Sequence, residues 1–306
     1  MSELKIGRRT VSVSHGDNIL FFRSKITKND LINYYLNIAD FILPHMKNRP
    51  LTLQRFVDGA DHPGFYQKNA SDYFPGWIKT EPITKKDDGE VNYVVCNDAA
   101  TLVYLVNQLT ITFHTWLSRT DALNFPDRMI FDLDPSSKNF SEIRAAARLL
   151  RNFLENDLDL DTFLMTTGSR GLHVVVPLDR DEDFDTVRSF AKDVAQVLVS
   201  RHPKKLTIEI RKAKRGKKVF IDYLRNAFGQ TGVTPYSVRA KPGAPIATPI
   251  EWKELGKITA NKFTIKNIFK RLSRKADPWE DIEDYACSLR RAREKLDDIL
   301  RSGEIK

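Results

Sequence analysis

Cysteine is scarce in this sequence: its 306 residues hold two, Cys96 and Cys287, far apart and at no metal-ligand spacing. That scarcity excludes a disulfide framework and a structural zinc site, and it suits a reducing compartment. Long apolar runs are also missing. No stretch approaches the roughly 20 apolar residues of a membrane span, and the opening MSELKIGRRTVSVSHG lacks the apolar core of a secretory signal. A soluble, cytoplasmic protein with no membrane partner is expected. No internal repeat, low-complexity tract or Ser/Gly-rich linker marks a boundary, so a single domain over 1–306 is expected.

What is present is charge and enough apolar residues for a core, at 41% hydrophobic content. There are 49 basic and 40 acidic residues, a net charge of +9. Most of this is an ordinary charged surface, so distribution matters more than the total. Between 204 and 218 the chain carries Lys204, Lys205, Arg211, Lys212, Lys214, Arg215, Lys217 and Lys218 against one acid, Glu209. The stretch 257–275 has no acid at all. A solvated face explains either stretch alone; the two together favour a polyanionic, phosphate-bearing partner.

Periodicity outlines the elements. Thr27 and Asp30 read as a helix start, and Leu31, Tyr34, Ile38, Phe41 and Ile42 follow at helical spacing to a stop at Pro44. Between 51 and 96, β-like runs at 77–80 and 91–96 are broken by Pro- and Gly-containing turns. A helix is expected over 99–108, leading into a β-like run at 111–116. The centre reads as strand 128–133, helix 141–154, strand 162–167, turn 168–171, strand 172–178, helix 184–200 and β runs at 206–210 and 219–221. Amphipathic helices are expected around Ile265, Ile268, Phe269 and Leu272, and around Trp279, Ile282, Tyr285, Ala286 and Leu289. Strands interleaved with helices give an α+β or α/β sheet flanked by helices.

In the strand ending Phe131-Asp132-Leu133-Asp134-Pro135, side chains alternate, so Asp132 and Asp134 share a face. Ionised carboxylates placed together repel unless a cation compensates, and hard oxygen ligands suit Mg²⁺ or Mn²⁺. Aspartates also end strands as turn formers, and phosphatases and glycosyltransferases carry similar pairs. Asp222 closes the run Val219-Phe220-Ile221 directly after the basic cluster. It can complete a triad for two ions about 3.5 to 4 Å apart, which would activate a 3′-hydroxyl and hold a triphosphate. Thr166 to His173 forms a glycine-containing turn between two strands whose main-chain N–H groups can approach anionic oxygens. A plain hairpin turn is the alternative.

The ordered set is specific: RPLTLQRFVDG at 49–59, GFYQKN at 64–69, ITFHTW at 111–116, FDLDP at 131–135, TGSRGLHVVVPL at 167–178, VFIDYLRN at 219–226, TPYSVRAKPGAPIATPIEWKEL at 234–255 and DPW at 277–279. Over nearly the whole chain it resembles the polymerase domain of bacterial end-joining ligase D, in the primase-polymerase superfamily. No ligase or nuclease motif accompanies it. The resemblance implies an α+β primase-polymerase core of mixed and antiparallel sheets. Its parts would be an N-terminal α/β part with DNA-end-binding segments over 1–120, a catalytic core over 121–250 and C-terminal helices over 251–306.

The resemblance also implies template-directed extension or filling of DNA ends and gaps, often with ribonucleotides and with Mn²⁺ favoured. Ku and a DNA ligase are implied as further partners, at the nucleoid. Matching positions give Asp132, Asp134 and Asp222 as ligands of two metal ions. They give Thr167, Ser169, Arg170 and His173 as phosphate contacts, with Arg225 and Arg239 nearby, and His114 as a contact to sugar and phosphate. For DNA they give Phe65 and Tyr66 as base-packing aromatics, Arg55 and Lys68 as backbone contacts, and a basic loop with Lys212, Lys214 and Arg215. Relatives hold a downstream 5′-phosphate with an Asn and two Lys near the N-terminus. Here that stretch is Ser14-His15-Gly16-Asp17-Asn18 and Lys28 is kept, so phosphate dependence is expected to weaken unless Arg23 or Lys25 compensates. A phosphatase or nuclease using the same carboxylates, or an end-binding scaffold without catalysis, are the competing classes.

Overall fold

The computed structural model describes residues 2–84, 89–137 and 139–302. The chain runs β1 (Ser2–Ile6), β2 (Arg9–Val13), β3 (Ile19–Phe21), β4 (Ile26–Thr27), α1 (Lys28–Asn37), α2 (Ala39–Met46), β5 (Leu51–Arg55), β6 (Phe65–Gln67), β7 (Thr80–Thr84), β8 (Glu90–Val94), α3 (Ala99–Asn107) and β9 (Thr110–Trp116). The centre follows as β10 (Arg128–Asp134), α4 (Phe140–Asn152), β11 (Phe163–Thr166), β12 (Leu172–Pro177), α5 (Phe184–Arg201), β13 (Leu206–Thr207) and β14 (Val219–Asp222). The chain ends with β15 (Thr231–Val233), β16 (Thr248–Ile250), α6 (Ile268–Leu272) and α7 (Arg290–Arg301). No described helix is long and apolar enough to cross a membrane.

Two compact units share this chain: Met1–Asp121 with Thr231–Thr248 and Phe263–Lys275, and Ala122–Gln230 with Pro249–Lys262 and Ala276–Lys306. The first unit holds a four-stranded sheet of order β15-β9-β5-β6. Its apolar side packs with α1 to α3 through Leu31, Tyr35, Leu51, Leu53, Leu102 and Phe113, all buried. Thr27 caps α1 as its spacing to Asp30 predicts: the Asp30 amide donates to Thr27 Oγ1 at 3.1 Å and the Thr27 amide to Asp30 Oδ2 at 2.8 Å. Pro44 does not stop the helix. The helical run breaks earlier, at Ile38, and Pro44 lies inside α2, where the acceptor it leaves without an N–H belongs to the exposed Asp40.

The second unit is built on a sheet of order β13-β14-β10-β12-β11-β16, with α4 and α5 packed on it. β13 pairs parallel with β14, whereas β10, β11, β12 and β14 pair antiparallel, so the α+β expectation holds. The helix expected around Trp279 to Leu289 is absent. Asp277 Oδ1 accepts from the Trp279 amide at 2.9 Å, a short 3-10 turn covers Ile282–Tyr285, and Cys287 bridges to Leu178 at the end of β12. Backbone groups that coiling would have used are engaged by a strand instead, and the helix starts at Arg290. Trp77 to Lys79, expected as a strand, form a turn before β7. The expected strand at 206–210 stops at Thr207.

One side chain substitutes for a strand. Asn226, fully buried, accepts from the Ile130 amide at 2.8 Å and donates to the Ile130 carbonyl at 2.8 Å and the Tyr223 carbonyl at 2.9 Å. It thereby extends the pairing of β10 beyond the start of the Asp132–Asp222 register. Removing a buried partner leaves polar backbone groups uncompensated at about 1–3 kcal/mol each. Asn226→Ala is therefore expected to destabilise the second unit by about 2–4 kcal/mol, read from the urea midpoint; a loss under about 0.5 kcal/mol would show that water replaces the amide without penalty.

Candidate active site

Strand register builds the site. Asp132 on β10 stands directly opposite His173 on β12 and directly opposite Asp222 on β14, so the three lie in a row across one face of the sheet. Asp134 lies two residues along the same face, opposite Phe220. His173 Nε2 is 3.6 Å from Asp132 Oδ1. Arg225 Nε is 3.6 Å from Asp132 Oδ2 and 3.5 Å from Asp222 Oδ2, so one guanidinium bridges both carboxylates. The 3-10 turn Leu224–Asn226 sets this geometry: the Leu224 amide holds Asp222 Oδ1 at 2.9 Å, and Asn226 ties the turn's end to β10.

Burial pushes the Asp134 carboxyl above its ordinary range; Asp132 and Asp222 add to the rise, and Arg170 and Arg215 oppose it. Asp222 is raised for the same first reason, with Arg225 opposing and Asp132 adding. Carboxylates desolvated side by side favour a compensating cation. Among the described residues no three acidic or imidazole groups converge as a ready-made cage. The donor set nonetheless fits a hard divalent ion in kind, and in this structure the arginine stands as the cation between Asp132 and Asp222.

The turn after β11 is shaped by Thr167. Its Oγ1 accepts from the Gly171 amide at 3.1 Å, meets the Ser169 amide at 3.4 Å and donates to the Gly171 carbonyl at 3.1 Å. Thr167, expected to contact phosphate, is thus buried and braces the turn that presents Ser169 and Arg170. Gly168 takes φ +65°, and a Cβ on Gly171 would lie 2.5 Å from the Leu133 carbonyl and 3.5 Å from Asp132 Oδ1. The glycine at 171 is therefore what lets the turn lie against β10.

In the basic loop, Lys212 and Lys214 are exposed, while Arg215 folds back. Arg215 donates to the carbonyls of Glu209 and Ile210, both at 2.8 Å, and its guanidinium lies 3.6 Å from the Phe220 ring centroid. Phe220 shares the carboxylate face, so Arg215 acts on Asp134 and Asp222 through the local field. Sequence reasoning missed Asn226 and Phe220 as supports. Period-two alternation through VFID signals Phe220; nothing local signals Asn226.

The remaining predicted residues lie in the first unit. His114 on β9 is paired with Thr52, and Tyr66 with Gln54, which puts Tyr66 on His114's face; the two rings meet edge-on at 5.7 Å. Phe65, paired with Arg55, takes the opposite face, so the two aromatics do not form one platform. Lys68 is exposed, and Arg239, half-buried, donates its amide to Pro245 O at 2.7 Å. Lys28 is buried: its Nζ donates to the Ser14 carbonyl at 2.6 Å, and burial lowers its pKa. The Lys28 and Asn29 amides at the start of α1 donate to Asn18 and Gly16 at 2.8 Å each. The 14–18 loop thus occupies the donors that a phosphate at this helix end would use. Its own side chains His15 and Asn18, with Arg23 and Lys25, are exposed.

This chain belongs to the LigD primase-polymerase domain family, whose description "LigD, primase-polymerase domain" matches residues 27–279. It is similar to the multifunctional non-homologous end joining protein LigD of Pseudomonas aeruginosa, 33% identical over 275 residues, 89% of this chain and 32% of that protein. The bifunctional LigD of Bacillus subtilis is 31% identical over 268 residues, 87% of this chain and 43% of that protein. The chain thus spans less than half the length of either relative. Among solved structures, the polymerase domain of Mycobacterium tuberculosis ligase D in complex with DNA matches with a TM-score of 0.84 at 28% identity, covering 90% of this chain and 99% of that one.

The raised carboxyls carry a pH signature. A carboxyl whose folded pKa lies above its unfolded value stabilises the fold below the unfolded pKa, and that contribution is lost as pH rises through the folded value. Asp134→Asn, which cannot ionise, is expected to melt higher than wild type near neutral pH in EDTA. The gain should vanish at pH below the ordinary aspartate range. An equal gain at both pH values would assign it to packing rather than charge.

Proposed function

We propose that this chain is a template-directed nucleotidyltransferase that extends DNA ends and fills gaps during double-strand-break repair, using two divalent ions and preferring ribonucleotides. The observation that carries the reading is the in-register row of His173, Asp132 and Asp222 with Asp134 beside it. Asp132, Asp134 and Asp222 would hold Mn²⁺ or Mg²⁺, which when bound would lower the pKa of a 3′-hydroxyl and steady the triphosphate. The protein's own groups do the rest. His173 contacts phosphate, and Arg225 neutralises the carboxylate pair and supplies donors to phosphate once an ion takes its place. Ser169 and Arg170 face the triphosphate from the braced turn. Family membership suggests nucleotide contacts for His114 and Arg239 as well. Phe65, Tyr66 and Lys68 take the DNA end, and Lys212 and Lys214 hold backbone phosphates. Ku and a DNA ligase are the partners this reading implies, in the cytoplasm at the nucleoid.

The direct experiment is a gapped DNA with labelled nucleotides and Mn²⁺. Asp132→Ala, Asp134→Ala and Asp222→Ala should each abolish incorporation while DNA affinity stays within about threefold, because the ligands position ions rather than backbone. Near-wild-type extension by any one of them would refute the triad. Phosphorolytic or hydrolytic products without incorporation would favour a nuclease or phosphatase.

Downstream 5′-phosphate dependence is expected to be weak. A phosphate carries about two negative charges near neutral pH, and strong recognition needs charge-assisted donors. Here Lys28 is engaged by Ser14 and the first amides of α1 by the 14–18 loop. Removing the 5′-phosphate should therefore change affinity for gapped DNA only slightly, and Lys28→Met should lower the melting temperature without changing the ratio between the two substrates. A large phosphate preference that Lys28→Met abolishes at unchanged stability would make Lys28 a ligand.

A further inference from the structure

Arg55 carries the signature of a brace rather than a DNA-backbone contact. Its Nε donates to the Gln108 carbonyl at 2.7 Å, and its Nη1 donates to Gln67 Oε1 at 2.7 Å and to Tyr73 Oη at 3.1 Å. Its guanidinium also sits 5.6 Å from the Phe65 ring centroid. Gln67 is fixed in turn, its Nε2 donating to the Asn69 carbonyl and to Ser71 Oγ, both at 2.8 Å. Two rings held by this one guanidinium face water: Phe65 is 48% exposed and Tyr73 60%. The ring of Tyr73 leans edge-on against Phe74 at 5.2 Å, which limits its movement. All of these residues lie in the first unit, and Phe65 is on the face of β6 away from Tyr66 and His114.

Three of the five guanidinium donors of Arg55 are engaged within the chain and its plane borders Phe65, so it fixes two large exposed rings that core packing does not use. We propose that Arg55, through Gln67, is a positioning residue for a second stacking face made of Phe65 and Tyr73, and that this face takes an unpaired base of the DNA strand. Tyr73 is thereby a base-contacting residue. Aromatic faces receive any base, and exposed Lys68, directly after the end of β6, adds a cation next to the polyanion. The inference rests on the DNA-end reading above and deepens it.

The test separates a brace from a phosphate ligand by salt dependence. A phosphate contact contributes about 0.9 to the slope of log affinity against log salt on duplex and about 0.7 on single strands. On a gapped DNA with 2-aminopurine at its unpaired positions, Arg55→Lys and Arg55→Gln should weaken binding alike. Both should reduce the change in 2-aminopurine emission on binding and leave the slope unchanged. Tyr73→Ala should weaken binding roughly 5- to 140-fold, the equivalent of about 1–3 kcal/mol for one stacked base, while Tyr73→Phe, which keeps the ring and loses its bond to Arg55, should weaken it about as much as the Arg55 variants do. Thermal melting checks that each variant folds; should the Arg55 variants melt low, Gln67→Leu and Tyr73→Ala carry the test. Arg55→Lys binding as wild type, with Arg55→Gln reducing the slope by one contact, would overturn the proposal and return Arg55 to the backbone. Wild type that shows no salt-dependent affinity for gapped DNA, or Tyr66→Ala and Phe65→Ala both binding normally, would overturn the DNA-end reading itself.

Discussion

Everything in the second unit is arranged around one unfavourable fact: three aspartates are desolvated on one face of a sheet. Like charges in a low-dielectric setting repel strongly, and each buried carboxylate loses hydration besides. The register of β10 between β12 and β14 makes the arrangement unavoidable, because Asp132 must face Asp222 across the ladder. The compensation comes from Arg225, one turn past Asp222, and from the field of Arg170 and Arg215. A sheet that positions carboxylates by backbone pairing can hold them at fixed spacing whether or not a cation is present, which is the pre-organisation that ion-assisted chemistry needs.

The supports around this face are covalently close to what they support. The VFIDYLRN segment places Phe220, Asp222, Arg225 and Asn226 within seven residues, and no two of them act alike. Phe220 is the ring under Arg215, Asp222 a carboxylate of the row, Arg225 its counter-cation and Asn226 the anchor to β10. The turn Gly168–Gly171 works similarly. Thr167 holds it from within, and the missing Cβ at Gly171 lets it approach Leu133 and Asp132 closely. Side chains tied to short rigid turns lose little entropy on binding a ligand.

Sequence makes legible whatever depends on local period. Asp132 and Asp134 on one face, the Thr27 capping box, the helix at 184–201 and the strand–turn–strand around Gly168 all follow from alternation, helical spacing or turn chemistry. What stays hidden depends on distant partners. The segment 279–289 has helical apolar spacing, but Cys287 pairs with Leu178, over a hundred positions away, and strand pairing wins. Pro44 reads as a stop because the break at Ile38 leaves no local mark. Lys28 reads as a retained phosphate contact, yet its Nζ is engaged by the 14–18 loop. In each case a long-range contact outweighs a local propensity that is small by comparison.

The arginines show why residue type alone overstates ligand sets. An arginine offers five donors in a fixed plane, and its charge reads as a phosphate contact wherever a polyanion is expected. Here Arg55, Arg215 and Arg225 do three different things. Arg55 links a strand, a loop tyrosine and an exposed ring; Arg215 ties its own loop and lies over Phe220; Arg225 bridges two carboxylates. Their distances, not their charge, separate the roles. Arg225 is bound by ionic contacts at 3.5–3.6 Å that a divalent ion would replace, so it is exchangeable. Arg55 and Arg215 donate to neutral acceptors at 2.7–2.8 Å and lie against rings, contacts that a metal ion does not replace. Charge counted along the sequence therefore overstates how many cations are open to a polyanion, because it does not separate arginines tied to neutral acceptors and rings from those held by exchangeable ionic contacts.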